Sequence, residues 1–348
     1  MSITTSTHKP FIERLLPAPK GGGFSLPDYW VWCGSVIQGE DGRFHMFASR
    51  WPKKLPMSPH WLFSSEVVRA SSDTPEGPYQ FEEVVLPRRD KSYFDGMNTH
   101  NPTIKKVGDT YLLYYFGATY DEPPPDPDDP STWIVGAARD ERYWPTWNRK
   151  STGLATSKSV LGPWTRRDTP ILPPRPGKWD ATAITNPAPC AMDDGSVYLI
   201  YKSRAAQGHR LELGVAYAKH YEGPYERLRD DPIFQFDDPQ QHVEDPYLWF
   251  EDGVFQVIMK DMSGGLTGEW GAGIHAVSAD CIHWEISPRK AWSRTVLWDD
   301  GTTYQANFER PQLLIQNGVP THLFAATGDG EKPWHFNHTW NMCIPLRA

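Results

Sequence analysis

Two adjacent carboxylates introduce one of the apolar segments of this 348-residue chain. In the stretch HVEDPYLW, Glu244 and Asp245 lie between His242 and a run of residues suited to a buried strand. Burying charges is costly unless they are paired, so we expect a polar ligand near them. A carboxylic acid with a raised pKa, facing an ionised carboxylate, can cleave a glycosidic bond. The acid protonates the leaving oxygen, and the carboxylate activates water or attacks the anomeric carbon.

A polar residue followed by proline recurs at the start of other apolar segments, in THNPTI, ITNPAP and FERPQL. If these segments converge on one axis, the residues at and before each proline face one another across a funnel. The expected substrate-binding residues are Trp30, Asp95, His100, Asn101, Asn186, His242, Glu309 and Arg310. Arg310 could hold a substrate carboxylate through two hydrogen bonds, or it could instead form an ion pair with Glu309 that stabilises its strand. The two histidines could bind sugar hydroxyls or a metal.

The elements that must position these residues follow from an internal repeat. Segments beginning at residues 100, 185, 244 and 309 each read as a strand, a glycine-containing hairpin and a second strand, and a degenerate copy begins at residue 32. Asp-Gly pairs at 41–42, 194–195 and 252–253 are strong hairpin signals. After each of the first four copies, a third strand, a loop and an outer strand are expected.

Five copies of a four-stranded antiparallel unit predict an all-β chain that forms a five-bladed β-propeller. We expect one domain over residues 1–348, with blades near 24–90, 91–170, 171–235, 236–295 and 296–348. The last blade lacks a clear outer strand, so the N-terminal FIERLLPAP, which resembles the outer strands, is expected to close the ring. A β-sandwich is the alternative architecture. Two inserts, at residues 50–63 and 121–135, are expected to cover one face of the ring.

Composition narrows the possible partners. A net charge of −8 argues against nucleic acid, and no apolar run reaches the roughly 18 residues of a membrane span. The N-terminus lacks the apolar core of a signal peptide, so we expect a cytoplasmic protein unless a leader was removed. Four widely spaced cysteines suit reduced thiols. The chain has 16 tryptophans, and one of them could serve as a platform for a sugar ring. A homo-oligomer is possible.

The repeat and its motifs resemble the five-bladed propeller glycoside hydrolases of families 43 and 117 and, more distantly, family 32. In family 43 the general acid is a Glu in a Glu-Gly-Pro motif of the fourth blade, and VEDPYL matches it. The resemblance implies Glu244 as the acid, with His242 as the alternative because family 117 relatives use a histidine. Asn186 replaces the family's third-blade Asp, so Asp180 is the expected orienting carboxylate. Asp28, the carboxylate nearest the first-blade position, is the expected base.

The resemblance implies a glycosidase, exo-acting and inverting, on a small plant or algal oligosaccharide. A glycoside phosphorylase remains an alternative, because Arg310, Lys202 and Arg204 could bind phosphate. A non-catalytic sugar-binding propeller is the other alternative. No cofactor is required, although some relatives hold calcium or another ion on the propeller axis.

Overall fold

The hairpin signals and apolar runs of the sequence become 22 strands in the computed structural model, which describes residues 10–330 and 335–347. These strands form five four-stranded antiparallel sheets and one two-stranded hairpin within the described residues. The prediction of an all-β, five-bladed propeller is confirmed. The expected domain of residues 1–348 also includes 1–9, 331–334 and 348, which lie outside the described residues.

The described chain begins with a 3-10 turn at Phe11–Arg14 and strand β1 (Phe24–Ser25) and then builds the blades in order. The first blade contains β2 (Tyr29–Gln38), β3 (Phe44–Pro52), β4 (Glu66–Ser72) and β5 (Gln80–Leu86). The second contains β6 (Asn98–Val107), β7 (Thr110–Ala118), β8 (Ser151–Ser157) and β9 (Thr165–Arg166). The third contains β10 (Thr182–Ala191), β11 (Val197–Arg204), β12 (Glu212–Ala218) and β13 (Glu226–Arg227).

The fourth blade contains β14 (Val243–Glu251), β15 (Val254–Asp261), β16 (Gly273–Ser278) and β17 (Glu285–Ile286). A hairpin of β18 (Thr295–Leu297) and β19 (Thr303–Gln305) follows it. The fifth blade contains β20 (Glu309–Gln316), β21 (Val319–Gly328), β22 (Thr339–Pro345) and, outermost, β1. Apolar residues of neighbouring blades pack together, for instance Val215 of the third blade with Leu248 of the fourth.

The outermost strand of the fifth blade is β1, although FIERLLPAP also pairs with the chain beyond β22 through an antiparallel bridge between Leu15 and Leu346. Phe24 of β1 pairs with Asn341 of β22, whereas Phe11–Arg14 forms a 3-10 turn. Phe11 is buried against the ring of Trp249, with ring centroids 6.0 Å apart. Only the start of the segment is therefore a turn, and a later part of the chain, β1, supplies the outermost strand.

The two inserts contact each other. Helix α1 (Met57–His60) lies in the first insert, and helix α2 (Tyr143–Asn148) follows the second. The backbone N–H of Ile134 donates to His60 Nε2 at 3.1 Å. Ile134 also belongs to a buried cluster that includes Phe63 and Trp147. The inserts are thereby anchored beside the second blade.

Each innermost strand is irregular at an equivalent point. Its pairing with the second strand shifts register there, and the residue at the shift has a left-handed φ between 52° and 56°. The five residues, called here the axial ring, are Cys33, Asn101, Asn186, Asp245 and Arg310. In four blades proline follows and offers no N–H to the ladder. Such bulges redirect side chains, and here they direct one residue per blade toward the axis.

Candidate active site

Hydrogen bonds connect the axial ring from blade to blade. The Cys33 thiol donates to Asn101 Oδ1 at 2.6 Å, and Asn101 Nδ2 donates to Asn186 Oδ1 at 2.8 Å. Asn186 Nδ2 then donates to Asp245 Oδ1 at 2.7 Å. The other Asp245 oxygen accepts the backbone N–H of Arg310 at 2.9 Å. Four hydrogen bonds therefore link the five ring residues from the first blade to the fifth.

A cavity of about 190 Å³ lies on this ring, and its walls differ in chemistry. The aromatic wall, mainly from the first two blades, consists of Trp32, Trp51, Trp61, His100, Phe116 and Trp147. The charged wall, from blades three to five, consists of Lys202, Glu244, Lys260 and Glu309. Lys150 and Trp270 also line the cavity. An apolar surface with a few convergent polar groups is typical of a small-molecule site.

The position directly before each axial-ring residue determines the character of the wall. In blade order these residues are Trp32, His100, Thr185, Glu244 and Glu309. The second strand adds the cross-strand partner, which is Phe116 for His100, Lys202 for Thr185 and Lys260 for Glu244. The same backbone geometry thus presents rings in one half of the propeller and charges in the other.

Glu244 is kept ionised by its neighbours. Burial alone would raise its pKa, but the Lys202 ammonium donates a hydrogen bond to Oε1, and the charges of Lys260 and Lys150 add to that effect. Together these cations hold the pKa of Glu244 well below its usual range. Such a group is an anion at neutral pH and is poorly suited to donate a proton.

Glu309 has the opposite tendency. Burial raises the pKa of Glu309 above its usual range, although Lys260 donates a hydrogen bond to Oε1 and lowers it. The nearby negative charges of Asp245 and Glu244 raise the pKa of Glu309 further. The two glutamates occupy equivalent positions in adjacent blades, yet their surroundings shift their pKa values in opposite directions.

His100 joins the aromatic wall as a neutral imidazole. Its Nδ1 lies 2.7 Å from Ser65 Oγ, and its ring is 5.7 Å from that of Trp51 and 5.6 Å from that of Trp61. Burial, reinforced by nearby cations such as Arg310, holds the pKa of His100 well below its usual range. His100 therefore offers the cavity a polar but uncharged group.

The structure brings together six of the predicted site residues. Lining the cavity are Glu244, His100, Asn101, Asn186, Glu309 and Arg310. Trp32, Trp270 and Lys202 line it as well, so more than one tryptophan is placed to contact a sugar ring. Arg204 is not among the residues that line the cavity. Its guanidinium instead packs on Trp147, 3.6 Å from the centre of the ring.

Asp28, His242 and Trp30 do not line the cavity. Asp28 is exposed, and its backbone carbonyl accepts the N–H of Lys53. The Nδ1 atom of His242 lies 3.1 Å from the Gln240 carbonyl oxygen, within its own loop. Trp30 is buried in a hydrophobic cluster and donates from Nε1 to a backbone oxygen in the first insert. These placements correct the expectation that the three residues face the axis.

Asp180 is a structural carboxylate outside the cavity. It is fully buried and accepts hydrogen bonds from Arg175 Nε at 2.8 Å, Arg227 Nε at 2.5 Å and the Tyr201 hydroxyl at 2.9 Å. Asp180 thereby ties the loop before β10 to strands β11 and β13. This placement corrects the expectation of an orienting carboxylate at the axis, because both oxygens are already engaged.

Asp95 repeats this arrangement in the second blade. It accepts from Arg89 Nε at 2.7 Å, the Tyr115 hydroxyl at 2.6 Å and Arg166 Nη1 at 3.4 Å. Its side chain is packed so closely that a Cβ on Gly117 would lie 2.1 Å from the Asp95 Cβ. Asp95 is therefore not in the funnel, and we call it and Asp180, with their arginine and tyrosine partners, the carboxylate clamps.

Several cavity residues were not predicted from the sequence. They are Trp51, Trp61, Phe116, Trp147, Lys150 and Lys260. For Lys260 a signal existed, because it lies opposite Glu244 across the predicted hairpin. Trp61, Trp147 and Lys150 come from the inserts and the loop that follows, where no strand period indicates direction.

Within the described residues, no group of three or more His, Cys, Asp or Glu side chains is placed to hold a metal ion. The axial ring contains one carboxylate, Asp245, and the adjacent Arg310 already brings a positive charge to it. The ring therefore gives an axial calcium no evident advantage.

No helix in the described part of the chain has the length and apolar character needed to cross a bilayer.

Solved structures share this architecture. A family 117 glycoside hydrolase from the marine bacterium Zobellia galactanivorans aligns with a TM-score of 0.62 and 16% identity, over 95% of this chain and 88% of that one. A thermostable family-43 glycoside hydrolase aligns with a TM-score of 0.54 and 14% identity, over 93% of each chain. The catalytic domain of a family 62 α-L-arabinofuranosidase from Coprinopsis cinerea aligns with a TM-score of 0.60 and 10% identity, over 96% and 98%.

At these identities the similarity shows the fold. The predicted resemblance to five-bladed propeller glycoside hydrolases is thus confirmed for the architecture. No protein-family model matches the chain, and no curated protein sequence does either.

Proposed function

We propose that the protein is a glycoside hydrolase that acts on the end of a small oligosaccharide. The observation that carries the proposal is the pair Glu244 and Glu309, whose pKa values are shifted in opposite directions within one cavity. Two carboxyl groups whose environments separate their pKa values are the arrangement that glycosidic cleavage needs. The aromatic wall opposite suits the apolar face of a sugar ring.

The roles follow from the electrostatics. Glu309, whose pKa is raised, is the general acid that protonates the leaving oxygen. Glu244, held as an anion, is the base that deprotonates the attacking water. This assignment reverses the role that the resemblance implied for Glu244 and gives Glu244 the role first expected of Asp28.

Exo-action is supported by the floor of the cavity. The axial-ring residues are buried and hydrogen-bonded from blade to blade, so we expect the cavity to end at this ring. A blind cavity accepts a chain end more readily than the middle of a polymer. The names of the structural relatives, which include glycoside hydrolases and an arabinofuranosidase, support the same class of reaction.

The test is release of sugar by the full chain from nitrophenyl α- and β-glycosides and from plant and algal oligosaccharides. We expect wild type to release a terminal sugar, and Glu309→Gln and Glu244→Gln to lose that activity. Asp28→Asn is the matched control, because that carboxylate lies outside the cavity. NMR of the first product tests the inverting course, which is carried over from the family resemblance. Full activity in both glutamate variants would refute the proposal.

A glycoside phosphorylase is the second candidate. The observation that favours it is the number of cations in the cavity, where Lys150, Lys202, Lys260 and Arg310 outnumber the carboxylates Glu244, Asp245 and Glu309. A phosphorylase would turn over only with inorganic phosphate and release a sugar phosphate. Equal turnover with and without phosphate would exclude it.

A further inference from the structure

Lys150 is the cation of the cavity that lacks a carboxylate partner among the described residues. Each of the other three has one, and the ion pairs are Lys202 with Glu244, Lys260 with Glu309, and Arg310 with Asp245. Lys150 is 3% exposed. Its ammonium faces rings instead, at 3.8 Å from the centre of Trp147, 5.1 Å from Trp61 and 5.3 Å from Phe116.

These rings attract a cation but do not replace a counterion. A lone buried ammonium loses its hydration, and aromatic faces return only part of the free energy. In agreement, burial and the neighbouring charge of Lys202 hold the pKa of Lys150 well below its usual range. A negatively charged ligand group beside Lys150 would reverse this imbalance, because it would favour the ammonium form.

Arg310 supplies an independent second observation. It is 1% exposed and lines the same cavity, and its Nε and Nη1 atoms have no hydrogen-bond partner in the described structure. Its nearest carboxylate contact, Nη1 to Asp245 Oδ1, is 3.9 Å long, which is too long for a hydrogen bond. Buried guanidinium nitrogens are normally satisfied, so these atoms are available to an acceptor.

We propose that the cavity recognises a sugar that carries an anionic group, a carboxylate or a sulfate, and that Lys150 pairs with this group. The proposal rests on the function proposed above only in taking the ligand to be a sugar. The charge count agrees, since the four cations of the cavity outnumber its carboxylates even when Glu309 is ionised, and a ligand anion reduces that excess. Lys150 is a specificity-determining residue in this view, while Glu244 and Glu309 face the bond that is broken.

The experiment compares matched acidic and neutral sugars by calorimetry with the full chain. Glucuronate and galacturonate are paired with glucose and galactose, and the 6-sulfates of the two neutral sugars separate sulfate from carboxylate recognition. Inorganic phosphate is titrated alone. We expect wild type to bind one acidic sugar at least about thirtyfold more tightly than its neutral counterpart, as expected for a buried charge pair.

Lys150→Met keeps the apolar stem and removes the charge, so it should abolish the preference for the acidic sugar. Lys150→Arg should retain most of the preference. Lys158→Met is the matched control, because Lys158 is exposed and pairs with Asp109 on the surface. The melting temperature of Lys150→Met should equal or exceed that of wild type, because the substitution removes an unpaired buried charge. This readout also shows whether the variant is folded.

Failures of the two proposals are distinguishable. Cleavage of neutral and acidic nitrophenyl glycosides with equal efficiency would overturn charge recognition and leave the hydrolase intact. Acid-selective binding that depends on Lys150, without any cleavage, would uphold charge recognition and overturn the hydrolase. Charge recognition would be overturned if wild type showed no preference for any acidic sugar. It would also be overturned if the preference survived in Lys150→Met. The same conclusion would follow if Lys150 were needed to bind inorganic phosphate but not any acidic sugar.

Discussion

Two pairs of carboxylates, in the clamps and on the charged wall, differ in what surrounds them. Asp95 and Asp180 are each held by two arginines and a tyrosine and are shut away from the cavity. Glu244 and Glu309 are each held by a single lysine and open into it. Each of the four precedes or begins an inner strand of its blade.

The difference teaches that the partner of a buried carboxylate indicates its role. Arginine holds the structural carboxylates, and lysine holds those of the candidate site. A planar guanidinium offers several donors in a rigid fork and can saturate a carboxylate, whereas an ammonium is a compact point charge on a flexible stem. A carboxylate enclosed in this way has both oxygens engaged and lies out of reach of a substrate. The lysine-held pair opens into the cavity and responds to its electrostatic surroundings, so we place the proposed chemistry there.

The largest expected effect tests the structural side of the comparison. Asp180→Ala leaves Arg175, Arg227 and Tyr201 without their shared acceptor and should lower the free energy of unfolding by about 3–5 kcal/mol. Urea denaturation of the variant and wild type measures this loss of unfolding free energy. The control is Asp230→Ala, because Asp230 also pairs with Arg175 but is exposed, so its loss should cost less than about 1 kcal/mol. Equal losses would mean that burial of Asp180 is not what matters.

The next effect tests the chemical side. Glu309→Gln removes the proposed proton donor and should lower kcat/KM by about 10²–10⁴, while the free energy of unfolding falls less than in Asp180→Ala. Steady-state kinetics and denaturation on the same preparation give both values. If Glu309→Gln is as destabilising as Asp180→Ala and the folded fraction retains full activity, Glu309 has a structural role like that of the carboxylate clamps and is not the general acid.

A smaller effect is a change with pH. The proposed mechanism requires Glu309 protonated and Glu244 ionised, so activity should fall as pH rises through the raised pKa of Glu309. Because the two sites interact through Lys260, the measured values describe the cluster and not one residue. The sign for stability agrees, since a carboxyl whose pKa is raised on folding favours the folded state at low pH, and that contribution is lost as pH rises through the raised pKa.

The check on this profile uses a glycoside with a 2,4-dinitrophenyl leaving group, which departs without protonation. With that substrate, Glu309→Gln should recover activity and lose the alkaline fall. A fall that persists in the variant would assign it to another group.

The smallest effect is expected at Asp28. Asp28→Asn should change kcat/KM by less than about twofold and unfolding free energy by less than about 0.5 kcal/mol, because this exposed carboxylate meets neither a clamp nor the cavity. A large loss of activity would restore Asp28 as a candidate base and weaken the assignment of Glu244.

The sequence predicted the propeller because the alternation within strands, the hairpin glycines and the repeated unit can each be recognised in short stretches of the chain. It also predicted that Glu244 and Glu309 meet, since both directly precede an axial-ring residue. It misplaced Asp180 because an aspartate six residues before the ring lies in a loop, where no alternation indicates the direction of a side chain. Lys150 was missed for the same reason, because it follows α2 and reaches the cavity through packing against Trp147.

The pairing of β1 with β22 has a consequence for how the protein is made. The edge strand, Phe24–Ser25, is translated about 315 residues before its partner strand near Trp340. At about 5–20 residues per second, the first must wait roughly 15–60 seconds for the second. Throughout that interval the nascent chain is an open arc with an unpaired edge, and Lys260 has no Glu309 to bind until the closing portion arrives.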